Sequence, residues 1–81
     1  MNKDIGRRLK ASELHPKQIV VISPPGRSGM ITMHVVERRP NLVVFYSGVF
    51  KIHVINVIGE DDELKDDQGR LVRVFEYLGE P

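Results

Sequence analysis

Cysteine is absent from this 81-residue chain, which excludes disulfides and thiolate metal centres as sources of stability. Aromatics are few: three Phe and two Tyr. They include no cluster of the kind that RNA-binding sheets use to stack bases. The opening segment Met-Asn-Lys-Asp-Ile-Gly-Arg-Arg is followed by no apolar stretch, so no secretory signal is expected. No GxSxG occurs, and the serines are scattered over unrelated segments. Nucleophilic catalysis therefore has no visible machinery, and a chain this small has little room to enclose a substrate. The expectation is a non-enzymatic protein with no cofactor, no metal and no small-molecule substrate.

The acidic run Glu60–Asp67 fails as a calcium loop, because counting from Asp61 the sixth position is Asp66 and Gly69 comes too late. His15, His34 and His53 lie on three different segments, without the i, i+4 spacing of a zinc site. Residues Asn41 to Ile58 form the longest apolar stretch, but Lys51, His53 and Asn56 interrupt it and its β-branched residues suit strands. A membrane-spanning helix is not expected, and a cytoplasmic location is.

What remains is the composition of a small globular domain, 41% hydrophobic and 28% charged. At this length folding buries only about 60% of the surface of the unfolded chain, so each large apolar residue carries weight. The chain is read as one domain, residues 1–81, with 1–16 a helix or flexible basic tail and 17–78 a β core. Net charge is +1, but Glu60–Asp67 holds six acids and one lysine, a local −5 that leaves +6 elsewhere. That run reads as a solvated connection on a mildly basic body.

Asp4–Leu14 is the one candidate helix, with Ile5 and Leu9 at i, i+4 and His15-Pro16 as its stop. Lys17–Ser23 reads as a strand whose run Ile19-Val20-Val21-Ile22 implies cover on both faces. Pro24–Gly29 is a turn-rich loop. Met30–Arg38 resumes as a strand with Ile31, Met33 and Val35 on one face. Pro40-Asn41 leads into a hairpin whose turn is placed at Ser47-Gly48, setting Phe45 opposite Phe50. Val43, Phe45, Phe50, Ile52 and Val54 then share one face. Leu42, Val44, Tyr46, Val49, Lys51, His53, Ile55 and Val57 share the other, too apolar for water and too polar for a plain core. Asp66-Asp67-Gln68-Gly69 is a turn, across which Glu63–Lys65 pairs back, and Arg70–Leu78 is the last strand.

The expected fold is mainly β: a five-stranded antiparallel small barrel or strongly twisted sheet of the SH3-like or OB-like kind, with a short N-terminal helix. Two functions follow as expectations. The first is a protein-interaction module, self-associating or binding another protein through the second hairpin face: Leu42, Val44, Tyr46, Val49, Lys51, His53 and Ile55. The second is a nucleic-acid-binding barrel. It would use the GxxG loop Gly26, Arg27, Ser28 and Gly29 together with Arg38 and Arg39, supported by Lys51, Arg7, Arg8 and Lys10. A regulatory or accessory subunit is a third possibility.

Overall fold

The computed structural model describes residues 4–79. Seven strands follow in order: β1 (Ile5–Leu9), β2 (Ile19–Ser23), β3 (Ile31–Arg39), β4 (Leu42–Ser47), β5 (Ile52–Ile58), β6 (Leu64–Lys65) and β7 (Leu71–Tyr77). A single 3-10 turn, Ala11–Glu13, stands between β1 and β2. Strands β7, β2, β3, β4, β5 and β6 form an antiparallel ring, closed where β6 pairs with β7. β1 adds to β7 outside that ring, along the same edge as β6. The small antiparallel barrel is thus the fold, closed by six strands with a seventh outside it, rather than five strands in all. No helix among the described residues is long and apolar enough to cross a membrane.

Period-two alternation builds the interior. Val20 and Ile22, Met33 and Val35, Val43 and Phe45, and Val72 and Val74 all point inward and are almost fully buried. Leu9, Ala11 and Leu14 from the N-terminal segment complete the cluster. Val21, on the outward side of β2, is also buried, so the continuous apolar run is indeed covered on both faces.

The N-terminal helix is not formed. Ile5 and Leu9 are four apart, a spacing that fits one face of a helix and one face of a strand equally well. What decides is the free edge of β7, where Ile5, Arg8 and Leu9 sit opposite Tyr77, Phe75 and Val74. Glu76 and Glu63, far away in sequence, fix the choice. The Arg7 N–H donates to Glu76 Oε1 at 3.1 Å, and the Arg8 guanidinium pairs with Glu63. Gly6 lies where β1 presses closest: a Cβ there would stand 2.9 Å from the Glu76 Cβ and 3.2 Å from Leu78 Cδ1. Gly6→Ala, which would favour a helix, is therefore expected to destabilise the protein by about 1 kcal/mol through overpacking, measurable as a lower urea midpoint.

The β4–β5 hairpin keeps its two faces but not its turn. Phe45 is opposite Val54 rather than Phe50, and Tyr46 is opposite His53, a slip of four residues. Ser47 stays in β4, fully buried. Its Oγ accepts the Phe50 N–H at 3.1 Å and its carbonyl accepts the Lys51 N–H at 2.7 Å. Lys51 takes a left-handed conformation (φ 56°) to close the loop. The interior of a narrow barrel is filled by one layer of side chains from each strand. Phe45 already fills its place, and Phe50 is expelled to 58% exposure. Because four is even, each strand residue keeps its side of the sheet, but Ile52, expected in the core layer, is 49% exposed, and Asn56 falls on the buried side, opposite Val43.

The acidic run is likewise not a solvated connection. Leu64 is buried in β6, and Glu63 pairs with Arg8 and Lys10. Asp62 accepts from the Ser12 N–H at 3.0 Å and the Ser12 hydroxyl at 2.5 Å. The run is a clasp that holds β1 and the 3-10 turn to the barrel. The pairing of Glu63–Lys65 back across the turn is formed, with Gly69 at φ 77°.

Candidate functional site: an outward apolar stripe and an arginine-rimmed mouth

β3, β4 and β5 present one outward surface. Three cross-strand pairs make its centre: Leu42 with Val57, Val44 with Ile55, and Tyr46 with His53. The Tyr46 and His53 rings are 4.8 Å apart, tilted at 50°. Leu42, Val44 and Tyr46 are half-buried because β4 is flanked on both sides. Ile55 at 59% and Val57 at 50% are not. Val36, squeezed out where the β3 register shifts between Val35 and Glu37, adds a further exposed side chain at 48%. Five of the seven residues expected on this face lie in the β4–β5 ladder. Val49 and Lys51 do not, because the loop carries both of them beyond the end of the strands.

His34 is also in register with Tyr46, from the β3 side. The two histidines flank one tyrosine two strand spacings apart, about 10 Å, too far to share a metal ion. Among the described residues no three His, Asp or Glu side chains form a group that could hold a metal.

The expected basic surface is divided. Arg38 and Arg39 are at the C-terminal end of β3, whereas the Gly26–Gly29 loop precedes its first residue. Nine residues of strand, about 25–30 Å, separate them. Arg39 is paired with Glu37, and Arg38 donates to the Arg39 carbonyl at 2.6 Å. Arg7, Arg8 and Lys10 are engaged by Glu13, Glu63 and Glu76.

Instead, Arg27 shares grooves with two arginines of the last hairpin. With Arg73 it lines a groove of about 260 Å³ beside Pro24 and Pro25. With Arg70 it lines the rim of a second cleft of about 270 Å³ that reaches into the barrel. On its other flank, the Gly26–Gly29 loop shares a more open groove with Met30 and the exposed Phe50. Sequence reasoning missed Arg70 and Arg73, although Arg73 had a usable signal: alternation in β7 turns it outward, and it registers with Ser23.

Arg70 also shapes the turn it ends. Its backbone N–H donates to Asp66 Oδ1 at 2.8 Å and its Nε to Oδ2 at 2.9 Å. These contacts, the backbone donor foremost, hold the Asp66 carboxyl below its ordinary 3.8. Glu13 is held below its ordinary 4.5, first by the Arg7 guanidinium and then by the Lys10 N–H. A lowered carboxylate contributes stability that is complete above its ordinary value and is lost as pH falls through the lowered folded value. Melting temperature is therefore expected to fall on acidification from about pH 5 to pH 3. Because the backbone N–H is the main cause at Asp66, Asp66→Ala should blunt that acid sensitivity more than Arg70→Met does. Thermal melts of the three proteins across this range check it.

Comparison of the chain with protein-family models, curated proteins and solved structures gives no match.

Proposed function

We propose that this chain is a non-enzymatic protein-interaction module that self-associates through the outward stripe of β4 and β5. The observation that carries the reading is the exposure of Ile55 and Val57 beside Val36, on a barrel whose core is already filled from its inward side. Isolated exposed aliphatics are ordinary, but a contiguous row of them on a small barrel marks a contact surface. A second copy offers the same row and can cover it in a two-fold arrangement.

The test is sedimentation velocity over a wide concentration range, with Ile55→Asp as the probe. The wild-type chain is expected to associate. Ile55→Asp, a surface change, should leave stability within about 0.5 kcal/mol and weaken association by about 2 kcal/mol, roughly thirtyfold. A wild-type chain that stays monomeric at the highest concentrations removes the reading.

One observation favours a second reading. Arg27, Arg70 and Arg73 surround the loop after β2, and Phe50 stands exposed on the adjoining groove. Cations beside an exposed ring suit the backbone and a stacked base of single-stranded nucleic acid. Titration with single-stranded DNA and RNA at low and high salt separates the two, since binding driven by phosphate is strongest at low salt.

A further inference from the structure

Two features of the barrel wall coincide at the N-terminal half of β5. The first is an open backbone edge. In the β4–β5 ladder the Ile58 N–H donates to the Asn41 carbonyl at 2.9 Å, and the register runs without a bulge to Ser47 and Ile52. Backbone polar groups alternate sides along a strand, so even positions of β5 turn to β4 and odd positions turn away. Gly59 obeys this: its N–H reaches the Glu63 carbonyl at 2.7 Å. Val57 meets Lys65 of β6. His53 and Ile55 turn to that same edge, but β6 is two residues long and ends before them. No strand pairs with them there among the described residues.

The second feature is the cleft beneath that edge. It has a volume of about 270 Å³ and is bounded by Ile52, Val54 and Asn56, with Met33 behind them and Arg27 and Arg70 at the rim. The cleft is large enough to take a side chain that enters from the open edge. Asn56 is 3% exposed. Its Nδ2 donates to the Lys65 carbonyl at 3.4 Å, a contact that fixes which way the amide faces, since a carbonyl needs a donor. No group among the described residues donates to its Oδ1. At the rim, Arg70 is tied to Asp66 through Nε, and its Nη1 stands by the loop, 3.5 Å from where a Cβ on Gly26 would be. Arg27 forms no ion pair among the described residues.

We propose that β5 accepts an extended peptide of another protein as an added strand, with one inward side chain seated in the cleft. Backbone groups of His53 and Ile55 supply the ladder, and alternation sends every second peptide side chain inward. The unpartnered Asn56 Oδ1 specifies that side chain as a hydrogen-bond donor, and a hydroxyl meets it. The rim specifies acidic residues flanking it, to meet Arg27 and Arg70. The other open edge in the sheet, on β1, carries Arg7 and Arg8, the kind of charge that guards edges against added strands. β5 carries no acid, lysine or arginine between Ile52 and Ile58. The proposal uses the backbone of His53 and Ile55 rather than their side chains, so it stands apart from the self-association of the outward stripe.

The test is an amide NMR titration of the full chain with the blocked heptapeptide Glu-Val-Ser-Thr-Ser-Val-Glu, whose side-chain order is the same in either strand direction. Shifts centred on the amides of His53 and Ile55 are expected at millimolar peptide or below. The added strand is antiparallel to β5, like every other pair in the sheet, so N-methylating the two serine amides, which then face β5, should abolish the shifts. Asn56→Leu and replacement of the peptide threonine by valine should each weaken binding about tenfold, and together no further, because they remove the same contact. The proposal is overturned by the absence of shifts at millimolar peptide, by binding that survives N-methylation, or by losses that add. It is equally overturned if those amides shift with protein concentration in Ile55→Asp, whose outward stripe is disabled, because a second copy would then be the occupant of the edge.

Discussion

Phe45→Ala is expected to cost about 3–5 kcal/mol, whereas Phe50→Ala should change stability by less than about 0.5 kcal/mol. Both rings belong to one hydrophobic hairpin five residues apart, and a tight turn at Ser47-Gly48 would seat them opposite each other as equals. In the structure Phe45 has no exposed surface and Phe50 is 58% exposed. A domain of this length has roughly 4–12 kcal/mol of stability in all, so Phe45→Ala takes a large part of it and can unfold the protein outright. Phe45→Leu, which keeps most of the volume, should retain the fold at a smaller cost. Chemical denaturation of the three variants measures these differences. Equal losses at Phe45 and Phe50 would show that the hairpin pairs in the tighter register.

The contrast between the two rings marks how far the sequence reaches. Alternation in β3, β4, β5 and β7 was legible because a strand needs only period two, and the even slip of the hairpin left every strand residue on its face. Cross-strand partners depend on loop geometry, here a left-handed Lys51 and a buried Ser47, and neither residue announces this by type. β1 was illegible for a different reason. Ile5 and Leu9 satisfy both periodicities, and the acids that select the strand are 55 and 69 positions away. The same distance problem hid the arginine cluster. Arg27 pointed to a phosphate loop, but its neighbours Arg70 and Arg73 come from the opposite end of the chain. The Leu42/Val44/Tyr46/His53/Ile55 face was found because it needed only parity.

Asn56→Leu is expected to stabilise the protein by about 1–3 kcal/mol, the cost of leaving a buried polar group without a partner. The side chains are similar in size, and the new one faces Val54, Met33 and Val72 around the same cleft. The contact given up is the 3.4 Å hydrogen bond to Lys65, near the outer limit for such a bond, so little is lost in exchange. Asn56→Asp should do the reverse and lower stability, because a carboxylate in the same place would lose its hydration and set an oxygen against the Lys65 carbonyl that the amide now donates to. Urea unfolding of the two variants gives opposite shifts of midpoint if Oδ1 is the unsatisfied atom. A buried polar residue at a position where leucine fits better breaks the local packing rule, as residues at contact sites do. The proposed peptide contact in the cleft under the open edge of β5 would account for its presence.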